Sequence, residues 1–155
     1  MAAKNVLKNP SPECPQLKIV RIDGSVFFGA VNHVAEQLDI ITREDPEQAH
    51  ILVVAGGINF IDVAGCALFA EEARRLYLEG RTLYLCSLKG EVLDVLERGG
   101  CIGRVGGDNL FRSKSEAVRT LVLTRLDPER CHVCRVRIFN ECAAMPAPSP
   151  MTTAP

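Results

Sequence analysis

His50-Ile51-Leu52-Val53-Val54-Ala55-Gly56-Gly57-Ile58-Asn59-Phe60-Ile61-Asp62-Val63-Ala64-Gly65 is the stretch on which the reading of this chain turns. Ile51 to Ala55 is an unbroken apolar run, rich in β-branched residues and short enough for a strand. Such a strand buries both faces, which places it at the centre of a parallel sheet with helices on both sides. Gly56-Gly57 is expected to end it. Asp62 then stands where a carboxylate caps a helix N-terminus, and Gly80 offers the matching stop. Between them, Val63 to Ala70 carries almost no polarity, so the first two turns of this helix should be buried all round. Farther along, Ala73, Leu76 and Tyr77 share one face, while Glu71 and Arg75 pair four apart on another. The turn Asp62-Val63-Ala64-Gly65 leaves backbone N–H groups pointing outward, a place for an anion or a partner.

Working outward, Leu17 to Ile22 alternates apolar and polar, Asp23-Gly24 is a turn dipeptide, and Ser25 to Phe28 comes next as a second short strand. The pair reads as a hairpin at the edge of the sheet. Gly29-Ala30 opens a first helix, with Val31, Val34, Ala35, Leu38 and Ile41 at helical spacing, and Asp45-Pro46 closes it. After the central helix, Thr82 to Cys86 is a strand. The next helix carries Val92, Leu93 and Leu96 and stops at Gly99-Gly100. A last strand is expected around Ile102 to Leu110. Ser113-Lys114-Ser115-Glu116 is a capping box that starts a final helix bearing Ala117, Val118, Leu121 and Val122. The order β-β-α-β-α-β-α-β-α defines an α/β fold with a mostly parallel central sheet. It occupies residues 16–126, after an arm at 1–15, and is followed by a cysteine-containing tail at 127–142 and a disordered, proline-rich end at 143–155. Truncation after Leu126 is therefore expected to cost little stability.

Composition narrows the function. With 155 residues, 47% hydrophobic and 24% charged, the chain suits one soluble domain with a sizeable core. A formal net charge of -1 argues against nucleic acid. No apolar run reaches the ~20 residues that cross a bilayer, so this segment does not itself insert in a membrane. Met1 to Pro10 lacks the apolar core of a signal peptide. Of the seven cysteines, Cys14, Cys66, Cys86 and Cys101 are scattered, and they read as reduced thiols in a cytosolic compartment. Cys131 and Cys134 form a Cys-x-x-Cys pair, with His132 between them and Cys142 beyond. Three readings stand side by side: a zinc site completed by Cys142 or His132, a redox couple, or a thiol-bearing tail folded onto the last helix. His132 is poorly placed to join both cysteines on one metal. Arg130, Arg135 and Arg137 are expected to lower the thiol pKa values nearby. The glycines from Gly99 to Gly107 match no phosphate-binding loop, and His33, His50 and His132 have no nucleophile at a triad spacing. The reading is a non-enzymatic protein that needs no cofactor.

The order of elements and the turn Asp62-Val63-Ala64-Gly65 resemble the STAS domain of sulfate transporters and anti-sigma factor antagonists, over roughly Leu17 to Leu126. Ile22 to Ala30, with its double phenylalanine, is similar to the transporter branch, as is Val92 to Gly99 followed by Phe111 and Ala117-Val118. The resemblance implies a regulatory or interaction domain on the cytosolic side of a sulfate-permease-type anion transporter. It also implies a membrane transporter domain on the same native chain and a possible cytosolic protein partner. In the antagonists the third residue of the turn is a serine that a kinase phosphorylates; here it is Ala64, which has no hydroxyl. Two alternatives remain: a free-standing, phosphorylation-incompetent antagonist-like protein, and a small-ligand or nucleotide sensor. The expected contact surface is the first helix and the head of the central helix, around Asn59, Phe60, Asp62, Ala64 and Gly65. Asp62 is also readable as a purely structural cap, and Phe60 is an anchor if exposed and core if buried.

Overall fold

The computed structural model describes residues 3–8 and 12–146. The run at Ile51 sits in the middle of the sheet. It belongs to β3 (His50–Ile61), which pairs in parallel with β2 (Leu17–Val26) on one side and β4 (Thr82–Cys86) on the other. A short β5 (Leu110–Phe111) extends the sheet beyond β4, and β1 (Ala3–Lys8) closes the opposite edge antiparallel to β2. The five-stranded order is β1-β2-β3-β4-β5. The fold is α/β.

Because side chains alternate across a strand, each inner strand feeds two cores. Val20, Ile22, Ile51, Val53, Leu83 and Leu85 lie in one. It is completed by α1 (Val31–Arg43), α2 (Val63–Leu78), α3 (Gly90–Arg98) and α4 (Cys101–Val105). Leu17, Ile19, Leu52, Tyr84 and Cys86 project into the other. That side is covered by α5 (Lys114–Thr124), α6 (Pro128–Val133) and α7 (Asn140–Ala143). Ile51, Leu52 and Val53 are completely buried, as the apolar run requires. Lys18 is buried too, and its ammonium lies 3.4 Å from Glu13 and 3.3 Å from Glu44, the pairing that a desolvated charge needs.

Several expectations are corrected. Asp23-Gly24 does not turn a hairpin; β2 runs straight through it, with irregular register against β3 on either side. The antiparallel partner comes instead from the expected arm, as β1. Gly56-Gly57 does not end β3 either. A Cβ on Gly57 would overlap the Asp23 carboxylate, so this glycine permits close approach within the sheet. The stretch from Cys101 folds as α4 and a 3-10 turn at Gly107–Asn109, leaving only Leu110–Phe111 for the last strand. Cys66 on α2 and Cys101 on α4 are bonded as a disulfide, with Cα atoms 5.8 Å apart, rather than standing as free thiols.

The tail folds back on α5, the third of the readings above, but it is not the dispensable appendage expected. Cys131 and Cys142 are buried in the same core as Leu17 and Tyr84. The Gln16 amide clamps the entry to α6, donating to the Asp127 carbonyl at 3.1 Å and accepting from the Asp127 N–H at 2.7 Å. Residues 127–146 are therefore part of the second layer, which corrects the expected disorder for 143–146, where Ala143 ends α7 and Met145 packs on the core; the rest of that expected disordered end, 147–155, lies outside the described residues. Truncation after Leu126 should lower the melting temperature by more than about 8 °C in a calorimetric scan. An unchanged melting temperature would show that α5 alone covers that face.

The second layer also carries a pH dependence. The Tyr84 hydroxyl lies 2.9 Å from His50 Nδ1, the two rings stack, and Arg125 lies over Tyr84. Burial, reinforced by the Arg125 charge, pushes the His50 pKa down. The unfolded chain then binds the proton more readily than the folded one, so stability falls as pH drops below the unfolded histidine value of ~6.5. Chemical denaturation from pH 7.5 to 5 should show this loss in the native chain and a weaker one in His50→Asn.

Candidate functional site

Residues Asn59, Phe60, Asp62, Ala64 and Gly65 occupy the end of β3 and the first turn of α2. Asp62 is the N-cap: its Oδ1 accepts from the Gly65 N–H at 2.9 Å. Its second oxygen does something the sequence does not announce, accepting from the Phe28 N–H at 2.9 Å. One carboxylate thus ties the connection between β2 and α1 to the start of α2. Desolvation alone would push its pKa up, but the N–H groups of Gly65, Phe28 and Ala64 outweigh it and hold the carboxyl below its ordinary value.

Gly65 is there because no side chain fits. A Cβ would stand 2.6 Å from Ile61 Cγ1 and would overlap the Val26 carbonyl oxygen. Val26 and Ile61 are register partners in β2 and β3, so that oxygen cannot retreat without loosening the pair. At the same end, the Ser25 hydroxyl donates to Asn59 Oδ1 at 2.9 Å. The result is a rigid edge built from two strand ends and one helix start.

Large apolar side chains are exposed on this edge. Phe60 is 52% exposed, Phe28 80% and Val63 78%. Phe60 is therefore surface and not core. Sequence pattern alone does not mark Phe28 and Val63 as contact residues; the double phenylalanine and the unusually apolar first turn of α2 are the signals it carries. Asn59 is exposed and Ala64 half-buried. The Asp62 carboxylate already occupies the outward N–H groups, so this helix start offers an apolar rim around an acid more than an anion cradle. Ala64 lies on the first turn with no group that a kinase could modify.

The tail cysteines are brought together in a different place. Cys131, Cys134 and Cys142 line a cavity of about 200 Å3 beneath α6 and α7, and Cys14 lines it with them. His132 is exposed and does not line it. Burial pushes the thiols of Cys14, Cys131 and Cys142 up, reversing the direction expected from the nearby arginines. Among the described residues, no three His, Cys, Asp or Glu side chains are grouped to hold a metal ion. Nor, among them, is any helix long and apolar enough to cross a membrane.

The STAS domain family model matches residues 8–117. The chain belongs to the STAS domain family. In sequence it is 23% identical over 125 residues to sulfate transporter 1.1 of Arabidopsis thaliana, covering 74% of this chain and 19% of that protein. It therefore spans about a fifth of that relative. In structure it is similar to the STAS domain of a SulP transporter from Vibrio cholerae, with a TM-score of 0.62 and 18% identity over 73% of this chain and 86% of that one. It is likewise similar to the anti-sigma factor antagonist SpoIIAA in its unphosphorylated form, with a TM-score of 0.60 and 15% identity over 79% of this chain and all of that one. The fold is thus common to transporter domains and antagonists.

Two substitutions test the construction of the edge. Gly65→Ala should destabilise by about 2 kcal/mol, because the added methyl must displace a paired carbonyl. Asp62→Ala should cost about 1 kcal/mol, the usual value of a lost N-cap. Denaturant titration measures both, and a Gly65→Ala protein as stable as the native one would contradict this packing.

Proposed function

We propose that this chain is the non-catalytic regulatory and interaction domain of a sulfate-permease-type anion transporter, acting at the cytosolic face of the membrane. Its contact surface is the edge formed by Phe28, Phe60 and Val63 around Asp62. The single observation that carries this reading is that three large apolar side chains are held out to solvent by a rigid backbone. Rigid, exposed aromatic residues gain contact area with little loss of conformational freedom, which is why they anchor interfaces. The family match and the sulfate-transporter relative support a transporter as the protein to which the domain is joined. The Asp62 carboxylate supports a protein partner over an anionic small ligand, since a phosphate or nucleotide would meet like charge at the helix start.

A second reading keeps the same surface. Likeness to SpoIIAA supports a free-standing partner-binding protein, with Ala64 removing the phosphorylation site used in the antagonists. The two readings differ in what contacts the edge, the body of the transporter or a separate protein.

The test uses a transporter carrying this domain. Phe60→Asp and Phe28→Asp should leave the fold intact, because neither side chain is buried. Each should weaken association of the domain with its partner by about 30-fold, the equivalent of ~2 kcal/mol for an interface anchor. Transport in vesicles, together with co-purification, is the readout. Normal transport and normal assembly in both variants would rule this surface out.

A further inference from the structure

The cavity beneath α6 and α7 lies at the start of β2, whereas the Asp62 edge forms at its far end, where Val26 pairs with Ile61. Apart from Cys14, Pro15 and Gln16, its lining residues all come from Leu126 onward, beyond the 8–117 span that the family model matches. It is thus built by the tail of this chain and not by the shared fold.

Leu126, Val133, Ile138 and Phe139 give the cavity an apolar wall. Cysteines complete it, and burial keeps the thiols of Cys14, Cys131 and Cys142 neutral, so that they pack as small apolar groups. The Gln16 amide is already engaged, with Asp127 through both its groups and with Cys131 Sγ at 3.3 Å. Charge enters from Arg130 and Arg137, and among the described residues no carboxylate lines the space. Half-buried Arg137 donates to the carbonyls of His132, Cys134, Met145 and Pro146. Arg130, which is exposed, reaches from α6 to the Pro15 carbonyl at 3.3 Å. Among the described residues neither guanidinium forms an ion pair with a carboxylate. An apolar cavity therefore carries two cations without a counterion, one of them half-buried, where a missing partner costs most.

We propose that this cavity binds a small amphipathic carboxylate, with its apolar body among Leu126, Val133, Ile138 and Phe139 and its charge on the guanidinium groups of Arg130 and Arg137. Size sets the first limit. An apolar cavity of about 150 Å3 holds a benzene ring, so the 200 Å3 here suits a ring or chain of about six to eight carbons. Charge sets the second. A carboxylate offers two coplanar acceptors that match the guanidinium fork, and Arg130 has N–H groups to spare beyond the one on Pro15. Entry requires no rearrangement, because Arg130, Val133 and Ile138 are exposed as well as lining the cavity, and the mouth is open. A bound carboxylate would join the segment ahead of β2 to α6 and α7, where Gln16 already links them, and would stabilise the second layer by mass action.

The experiment is calorimetric titration of the full chain, under reducing conditions at low salt, with benzoate and hexanoate. The expected result is saturable one-to-one binding with a Kd below about 1 mM for at least one of them. Benzyl alcohol and hexanol keep the apolar body and lose the charge, so each should bind about tenfold more weakly than its acid. Acetate keeps the charge and lacks the body, and it should not saturate. Arg130→Gln, at an exposed position, should weaken the acid about tenfold, leave the alcohol unchanged and preserve the circular dichroism spectrum. Arg137→Gln also removes a tether of the tail, so the Arg130 variant carries the test of charge. Cys134→Leu fills the cavity from a half-buried position and should abolish binding of acid and alcohol alike. Absence of saturable binding by both acids would overturn the proposal. So would alcohols that bind as tightly as the acids, acetate that binds as tightly as benzoate, or native affinity in Arg130→Gln.

Discussion

A strand buried on both faces must be covered twice, and that constraint governs this domain. Leu52 and Val53 are adjacent residues of β3, yet they belong to different cores. The same alternation recurs in β2 and β4, so neither face of the sheet is able to meet water. One face is covered by the helices that link the strands, α1, α2, α3 and α4. The other depends on the chain beyond the last strand. Helix α5 supplies Ala117, Val118, Leu121 and Val122, and the residues after it bring Cys131 and Cys142 down beside Leu17 and Tyr84. The tail is thus structural because the sheet has a second side.

The same long β3 creates the edge on which function is proposed. By continuing to Ile61 it carries Asn59 and Phe60 past the core and delivers Asp62 to the start of α2. Gly65 then lets α2 pack directly against the Val26–Ile61 pair. Asp62 fixes two N–H groups from separate segments. Rigidity comes from backbone bonding, and so the side chains of Phe28, Phe60 and Val63 remain available for contact.

What was legible in the sequence was whatever depended on local pattern. The apolar run at Ile51, the helical spacing in α1, α3 and α5, the Asp62 cap and the Ser113 cap all appear where periodicity and end signals put them. The failures arose where a local signal was reused for a tertiary purpose. Asp23-Gly24 has the composition of a hairpin turn, but Gly24 takes its positive φ of 96° at an irregularity within β2. Gly56-Gly57 has the composition of a break, yet Gly57 serves close approach to Asp23. β1 shows little pattern in the sequence; of its described side chains, Val6 is in the core and Leu7 is exposed. Non-local pairs left no trace at all. Asp62 with Phe28, Cys66 with Cys101, and Gln16 with Asp127 are 34, 35 and 111 residues apart. For the candidate site, the backbone positions were readable, while the exposure of Phe60 and the company of Phe28 were decided by the course of β3.

The central proposal is that this edge is where the domain meets the body of the transporter to which we propose it is joined. Hydrogen exchange read out by mass spectrometry addresses it directly, comparing the isolated chain with the same residues inside an intact transporter in detergent or nanodiscs. The account predicts slower exchange in the intact protein at 27–33 and 58–65, with little change across α5 and α6. Unchanged exchange at both segments, with new protection elsewhere on the domain, would contradict it.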